Sequence, residues 1–353
     1  MTPINMVAGL LWGLAGFLVF GTVVPFWKGG TWWVRVCDFP RVQIVVAQIL
    51  CLAGLLALGE GQGALQQAGL AVLGLAMIYQ LVRIVPYTPL YATQVQTTDR
   101  RAGGTLRVLI ANVLMPNRNA ETLIEQVRAL DPDVFMAAET DQWWVDQLSV
   151  LKDDLPEVIA HPLDNTYGIV LFSKRPLEEA EVNYLVEDDV PSIRATMQLG
   201  NGQRFRFTGL HPRPPRVQQN SDHRDTELMR VAYALRGKPH PGIVAGDMND
   251  VAWSDTTRLF QKVSGYLDPR IGRGMFNTFH AGYPVLRYPL DHVFVSPHWK
   301  VVELRRLSGN GSDHFPIYIE LHLDPSAVYQ QEGYEATQED LEEAAEKAIG
   351  VEE

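Results

Sequence analysis

Charge is nearly missing from the first ninety residues, where Lys28, Arg35, Asp38, Arg41, Glu60 and Arg83 are the only charged side chains. Cysteine is scarcer still, with Cys37 and Cys51 alone. That excludes a disulfide framework and any cysteine cluster for zinc. There are nine histidines, few enough that the position of each carries information. An overall charge bias is also lacking once the end of the chain is set aside. The net charge is -11, but Asp324 to Glu353 holds ten acidic residues and one lysine, leaving about -2 for the other 323 residues. Acidity describes the tail and says little about the partner of the body.

The uncharged start consists of three apolar runs, Ile4 to Trp27, Val42 to Gly59 and Ala64 to Pro86. Crossing a bilayer takes about 20 such residues. All three qualify, the second with least margin. Trp27, Trp32, Trp33, Tyr87 and Tyr91 flank them as an interfacial belt would. Buried helices of a soluble protein are the blander reading. A cleaved signal peptide fits poorly, because no basic segment leads the first run and two more runs follow. Lys28, Arg35 and Arg41 lie in the first loop, and Arg83, Arg100 and Arg101 lie at or after the end of the third run. The positive-inside rule then puts that loop and everything after residue 87 in the cytoplasm. The expectation is a multi-pass protein of the cell inner membrane. Its anchor would span 1–86, a polar linker 87–104, a catalytic body 105–323 and an acidic tail 324–353.

The pattern of the body is alternating short strands and helices. Leu106 to Asn112 and Val134 to Ala138 read as buried strands. Between them Leu123, Ile124, Val127 and Leu130 mark a helix over 120–130 that Asp131-Pro132 stops. Further strands are expected at Gly168–Ser173, Arg194–Leu199, Phe205–Leu210, Gly242–Ala245, His292–Val295 and Ile317–Leu323. The class is α/β, a packed β core flanked by helices. Glu339 to Ile349 reads as a solvated helix or a disordered tail.

Acidic, amide and imidazole side chains recur at the ends of these apolar strands. Asn112, Glu139, His211, Asp247 and Asn249 follow strands, while Asp291, Asp313 and His314 precede them. Any one Asn or Asp there is an ordinary turn former or helix cap. His161, His223 and His240 read as surface residues, and Asp131 as a helix stop. The set is different, because strand ends of a packed sheet converge on one rim. Asn112, Glu139 and Asp313 offer oxygen ligands, which suit Mg²⁺, Mn²⁺ or Ca²⁺ rather than zinc. A hard cation beside imidazoles is the equipment of phosphoryl chemistry.

From about residue 105 to 323 the chain resembles the endonuclease/exonuclease/phosphatase superfamily, of the deoxyribonuclease I-like fold. The resemblance rests on seven blocks in order. They are Leu109-Ile110-Ala111-Asn112, Pro132 to Glu139, Gly168 to Lys174, Thr208-Gly209-Leu210-His211, Gly246-Asp247-Met248-Asn249, Leu290 to Val295 and Ser312 to Pro316. It implies a four-layer α/β/β/α sandwich with its site at one end of the two sheets. It implies Mg²⁺ (or Mn²⁺) on Glu139, assisted by Asn112 and Asp313. His314 would activate water, held and polarised by Asp291. His211 would donate to a phosphate oxygen, and Asp247 and Asn249 would orient the nucleophile and bind phosphate. Ala138 stands where many relatives carry Gln, and His292 where an aromatic residue is common.

Such a resemblance fixes the bond type, not the molecule. Gly200 to Asn310 holds 16 Lys/Arg against 9 Asp/Glu. Arg213 and Arg216 beyond His211 are the candidate substrate-binding residues, with Arg224, Arg270, Arg273 and Arg287 as further candidates for the rim. An electropositive rim suits any phosphate ester, whereas a duplex binder would show a stronger basic stripe. Tethering by a short linker favours lipid-type phosphoesters, cleaved by a phosphodiesterase or phosphatase. The alternative is a membrane-tethered nuclease acting on nucleic acid. A catalytically dead scaffold is the third reading, and an intact Asp291 with His314 argues against it.

Overall fold

The computed structural model describes residues 3–27, 29–101, 103–215 and 220–350. Lys28, counted above for orientation, lies outside them. The apolar start folds as helices α1 (Pro3–Val23), α2 (Trp32–Arg35), α3 (Arg41–Ala57) and α4 (Ala64–Ile84). With their 3-10 extensions, Pro3–Phe26 and Ala64–Tyr87 are each 24 residues long and apolar enough to cross a membrane. The second expected run differs, since α3 has 17 residues and adds a third span only if joined to Trp32–Asp38 across a bend of 68°. Leu18, Cys51, Leu55 and Leu73 close the core of the three long helices. Within it, Thr22 Oγ1 accepts hydrogen bonds from Gln48 Nε2 and Gln80 Nε2, each 3.1 Å. Their outer faces carry exposed Leu10, Phe17, Phe20, Leu50, Leu75 and Val82, as lipid-facing surfaces would.

The body begins with β1 (Thr105–Asn112), α5 (Ala120–Leu130), β2 (Val134–Ala138), α6 (Gln142–Leu148), β3 (Glu157–His161) and β4 (Ile169–Ser173). Helix α5 ends where Asp131 turns left-handed at φ 47°, the stop that Asp131-Pro132 predicts. Next come β5 (Glu178–Tyr184), β6 (Pro191–Gln198), β7 (Arg204–Gly209), α7 (Asp222–Leu235), β8 (Gly242–Asp247) and α8 (Asp255–Ser264). The chain closes with β9 (Asp291–Val295), β10 (Trp299–Arg306), β11 (Ile317–Leu323) and α9 (Gln338–Ile349). The strands form two sheets, ordered β10-β11-β1-β2-β4-β3 and β5-β6-β7-β8-β9. Ile110, Met136, Ile193, Phe207, Ala245 and Val293 pack between the sheets. Helices α5 and α6 cover the first sheet, and α7, α8 and α9 cover the second. This is the four-layer α/β/β/α sandwich.

Pairing puts the interesting strand ends on one rim. β1 runs parallel to β2 and β7 parallel to β8, and the bond from Asn112 Nδ2 to Asp247 Oδ2 brings the ends of the two pairs to the same side. β11 and β9 run antiparallel to β1 and β8, so they start there, with Ile317 opposite Ile110 and Asp291 opposite Asp247.

The helices and the body share a core. Val45, Ile84 and Tyr87 pack with Val251, Ala252 and Trp253, just beyond Asp247. Trp253 Nε1 donates to Asp38 O at 2.8 Å, Arg83 donates to Trp253 O at 2.6 Å, and Arg83 also meets Asp255 at 2.7 Å. Nor is the expected linker a free tether. Val95 is fully buried, and Thr98 N and Val301 N bond along β10 to Val301 O and Gln96 O. Of the two readings of Glu339 to Ile349, solvated helix or disordered tail, the helix is found as α9, although it is docked on the body rather than free in solvent. Ala344 is fully buried against α7 and α8, and Lys262 pairs with Asp340 at 2.8 Å.

Helix α7 turns Glu227 inward, where Oε1 has no partner among the described residues. Burial, and then the nearby Glu187 carboxylate, push its carboxyl up to about 8 from an ordinary 4.5. A group raised on folding stabilises the fold fully below its unfolded value and loses that contribution as pH rises through the folded one. Stability should therefore fall from pH 4.5 to about 8 by a few kcal/mol from this residue. Glu227→Gln should flatten that fall and be the more stable protein above pH 8. Denaturation followed by tryptophan fluorescence across that range measures both, and parallel curves would exclude the assignment.

Candidate active site

β1 delivers Asn112 to the rim, and Glu139 stands one residue past β2. Glu139 has a left-handed φ of 62°, a costly conformation for a residue with a side chain. Asn112 Nδ2 donates to Glu139 Oε1 at 2.8 Å and to Asp247 Oδ2 at 3.0 Å, while its Oδ1 accepts from Leu114 N at 3.0 Å. Met115 N donates to Glu139 Oε2 at 3.3 Å. Asp247 closes β8 after Gly246, whose φ is 141° and where any Cβ would stand 1.9 Å from Leu210 O. Only glycine lets β8 end this close to β7. Asn249, at φ 50°, donates its backbone N–H to Asp247 Oδ1 at 2.9 Å and its side-chain Nδ2 to Pro212 O at 2.9 Å.

Two histidines face this carboxylate pair. His211 is buried with Nε2 3.8 Å from Asp247 Oδ2 and 4.0 Å from Glu139 Oε1, while its Nδ1 has no partner among the described residues. His314 is buried with Nδ1 2.8 Å from Asp291 Oδ2 and Nε2 3.5 Å from Asp247 Oδ2. Its backbone is fixed by Ser312, whose Oγ accepts from His314 N at 3.0 Å and donates to Asn112 O at 2.8 Å. Phe279 covers the ring, with centroids 5.0 Å apart.

The electrostatics separate the two imidazoles. Burial disfavours charge on both. For His211 burial wins and its pKa is lowered, so the ring is neutral near pH 7. For His314 the Asp291 and Asp247 carboxylates outweigh burial and push it up to about 10. Burial also raises the Glu139 and Asp247 carboxyls, although Asn112 works against this at Glu139 and His314 at Asp247. The cleft is thus crowded with buried acid and short of cation.

Asp313 adds to that shortage. Its Oδ1 is buried with no partner among the described residues, and its charge reaches Glu139. Carboxylate and amide oxygens are the ligand types a hard cation takes, although Asn112 Oδ1 accepts from Leu114 N here. Asp247, Asp291 and His314 also converge, with one donor atom of each within 4.8 Å of the others. Within that group Asp291 and His314 are engaged with one another.

The basic candidates fare differently. Arg213 lies over the Tyr167 ring at 4.7 Å and pairs with Glu187 at 2.9 Å and Asp189 at 2.8 Å. Tyr167 in turn packs 5.5 Å from His211, so Arg213 stands beside the cleft. Arg216 lies outside the described residues. Arg224 and Arg270, counted toward a basic rim, turn inward instead. Arg224 is buried against Asp225 at 2.8 Å and donates to Asn249 O at 2.8 Å. Arg270 is buried against Asp268 at 2.7 Å and reaches His292 Nδ1 at 2.7 Å. Arg273 donates to Val95 O, and Arg287 to Ala281 O. Nothing in the sequence singles out Tyr167 or Phe279, or a role for Ser312. Aromatic and hydroxyl side chains carry no chemical signal by themselves.

A family model described as the endonuclease/exonuclease/phosphatase family matches residues 109–314. No curated protein matches the chain significantly. Among solved structures, D. rerio TDP2 complexed with single strand DNA product superposes with a TM-score of 0.53 at 18% identity, over 62% of this chain and 99% of that one. The human Nocturnin catalytic domain with bound sulfate gives 0.51 at 18% identity, over 65% and 98%. An endonuclease/exonuclease/phosphatase protein from Beutenbergia cavernae gives 0.50 at 17%, over 63% and 72%. At these identities the likeness is one of fold.

Gly246→Ala tests the close approach that seats Asp247. The added methyl meets Leu210 O at 1.9 Å on a backbone at φ 141°. A loss of about 1–3 kcal/mol or more is expected. Gly237→Ala, with a φ of 67° and open space around it, should cost only about 1 kcal/mol. Equilibrium denaturation of both variants is the check, and equal costs would refute the contact argument.

Proposed function

The chain belongs to the endonuclease/exonuclease/phosphatase family, and we propose that it hydrolyses a phosphoester of lipid type at a membrane through water activated by His314 and Asp291. Hydrolysis of phosphoester bonds comes with the family. The finer reading is carried by one observation, the 2.8 Å contact of His314 Nδ1 with Asp291 in a cleft that also holds Glu139, Asn112 and Asp247.

In this reading Asp291 fixes the tautomer and orientation of His314 and leaves Nε2 facing the cleft to take a proton from water. His211, neutral by burial, donates a hydrogen bond from Nε2 to a phosphoryl oxygen as charge builds there. Asp247 and the Asn249 amide orient the incoming water and the phosphate. Arg213, seated over Tyr167, meets the outer part of the substrate together with Arg216. Glu139, Asp313 and Asn112 would hold the cation, Mg²⁺ or Mn²⁺, the last after turning its amide oxygen away from Leu114 N. When bound, the ion would neutralise a phosphate oxygen and relieve the field that keeps His314 protonated.

The membrane context supports a lipid-type substrate over nucleic acid. Two or three helices are apolar enough to span, and of these α3 and α4 share a core with the 251–253 segment just past Asp247 and Asn249. A site fixed so close to such helices meets membrane phosphoesters at high effective concentration. Arginines that would have made a basic stripe are used inside the fold. Membrane phospholipids and single- and double-stranded DNA should be offered to the protein side by side. Turnover is expected on phospholipid, lost in excess chelator and restored by Mg²⁺ or Mn²⁺. Glu139→Gln should weaken metal binding by calorimetry with little change in unfolding midpoint. Cleavage of DNA alone would favour the nuclease reading, and activity in excess chelator would remove the metal.

The base is tested by a kinetic cycle on folded, metal-loaded protein. His314→Ala should cost about 10²–10⁴-fold in kcat. Asp291→Asn should cost less, since the ring remains. The double variant should be little worse than His314→Ala, because residues acting as one unit are non-additive. Full additivity would dissolve the pair.

A further inference from the structure

A short hairpin joins the cleft to the helices. At its base Phe279 N donates to Tyr288 O at 3.0 Å. The base is tied to the site, because the Phe279 ring packs 5.0 Å from His314 and Ala281 N donates to Asp313 O at 2.7 Å. Its far end is tied to α3, where Gln43 Nε2 donates to Val285 O at 2.6 Å. The Phe39 ring, just before α3, meets Tyr288 edge-on at 5.5 Å. Between these two anchorages the tip holds Tyr283, Val285 and Leu286 out of the fold, 59%, 73% and 50% exposed. No acidic residue lies between His280 and Tyr288.

The level of this tip follows from the helix it touches. Gln43 is in the first turn of α3, and the exposed apolar residues Val46, Ile49 and Leu50 begin one turn further on. At about 1.5 Å per residue, the tip stands about 5 Å from the first side chain that would face lipid. A tyrosine and two aliphatic residues at that level, with Arg287 behind them, have the make-up of an interfacial anchor. Exposed to water they would be an unexplained apolar cluster.

We propose that the 281–287 tip inserts into the headgroup boundary of the bilayer holding α1, α3 and α4. It thereby seats the mouth of the cleft, beside His314, on the phosphoesters of that membrane's own lipids. This rests on the reading of the chain as a membrane-embedded phosphoesterase. It goes further in naming the surface that meets lipid and the source of the substrate.

The test uses the full chain in vesicles of phosphatidylethanolamine and phosphatidylglycerol. Val285→Cys is labelled with a polarity-sensitive dye in a Cys37→Ser background, Cys51 being 1% exposed. The dye is expected to shift to the blue, to be quenched by lipids spin-labelled on the acyl chain and to be shielded from iodide. The same dye at Val150→Cys, on the outer helical layer, should report water. A water-exposed dye at 285 overturns the anchor, whatever the enzyme cleaves. A lipid-exposed dye supports it even if the wild type cleaves no phosphoester, an outcome that would overturn only the functional reading. Tyr283→Ser, Val285→Ser and Leu286→Ser combined should preserve kcat/KM on a soluble phosphodiester and lose roughly tenfold or more on vesicle lipid. Undiminished turnover of vesicle lipid by that variant would overturn the seating role.

Discussion

The contact between His314 Nδ1 and Asp291 Oδ2 runs between sheets rather than along one. His314 lies just before β11 in the six-stranded sheet, and Asp291 opens β9 in the five-stranded sheet. The bond from Asn112 Nδ2 to Asp247 Oδ2 crosses the same gap. Neither sheet alone holds a site. What sets their 2.8 and 3.0 Å separations is the packing of Ile110, Met136, Phe207, Ala245 and Val293 between the layers. Interiors are close-packed and transmit strain, so a methylene too many in this core would be felt at the rim as a lost hydrogen bond. The two parallel pairs, β1 with β2 and β7 with β8, put four strand ends on that rim, and the antiparallel neighbours return two strand starts to it.

Such a rim gathers more buried acid than buried base. Around Glu139, Asp247, Asp291 and Asp313 the near cationic group is His314, which the carboxylates raise to about 10. Asn112 partly fills the deficit by donating to two of them. Two buried ion pairs support the rim from behind. Arg224 with Asp225 holds the carbonyl of Asn249, and Arg270 with Asp268 braces the neutral His292, whose Nε2 meets Asp250 O at 2.8 Å. Breaking one partner of such a pair leaves an uncompensated buried charge, which is costlier than the pair is stabilising. The strain at Glu139 and Asn249, both left-handed, persists because these neighbours over-determine their backbones.

How much of this was legible in the sequence depended on whether burial and polarity agreed. β2, β4 and β8 are buried along their whole length and read as continuous apolar runs. β5, Glu-Glu-Ala-Glu-Val-Asn-Tyr, is an edge strand exposed over most of its length, and nothing in its pattern announces a strand. Helices α7 and α8 were missed for the opposite reason. They bury Arg224, Asp225, Thr226 and Glu227, and Thr256, Thr257 and Gln261, so polar residues occupy the face where periodicity looks for apolar ones. The convergence of polar residues at strand ends was legible because strand direction follows from the order of elements. Which arginines face solvent was not, since residue type does not say whether Arg224 or Arg270 meets a substrate phosphate or a buried aspartate.

The junction of helices and body gives these parts a common frame. A flexible tether would leave the cleft free to face any direction. Here the frame is stiff, with Trp253 bonded to Asp38 O, Arg83 to Trp253 O and Asp255, and Tyr87 to Ala252 O. The segment carrying these contacts begins two residues after Asn249, and residues 94–98 are strapped along β10 and the 268 turn instead of swinging free. Lost rotational freedom is therefore already accounted for in folding, before any substrate arrives. On the proposed membrane reading, a cleft held in one orientation to α3 and α4 would gain for substrates lying in the membrane plane and lose for long polymers approaching from bulk water. The same rigidity that orders the candidate catalytic groups across the two sheets thus also narrows the directions from which a phosphoester could reach them.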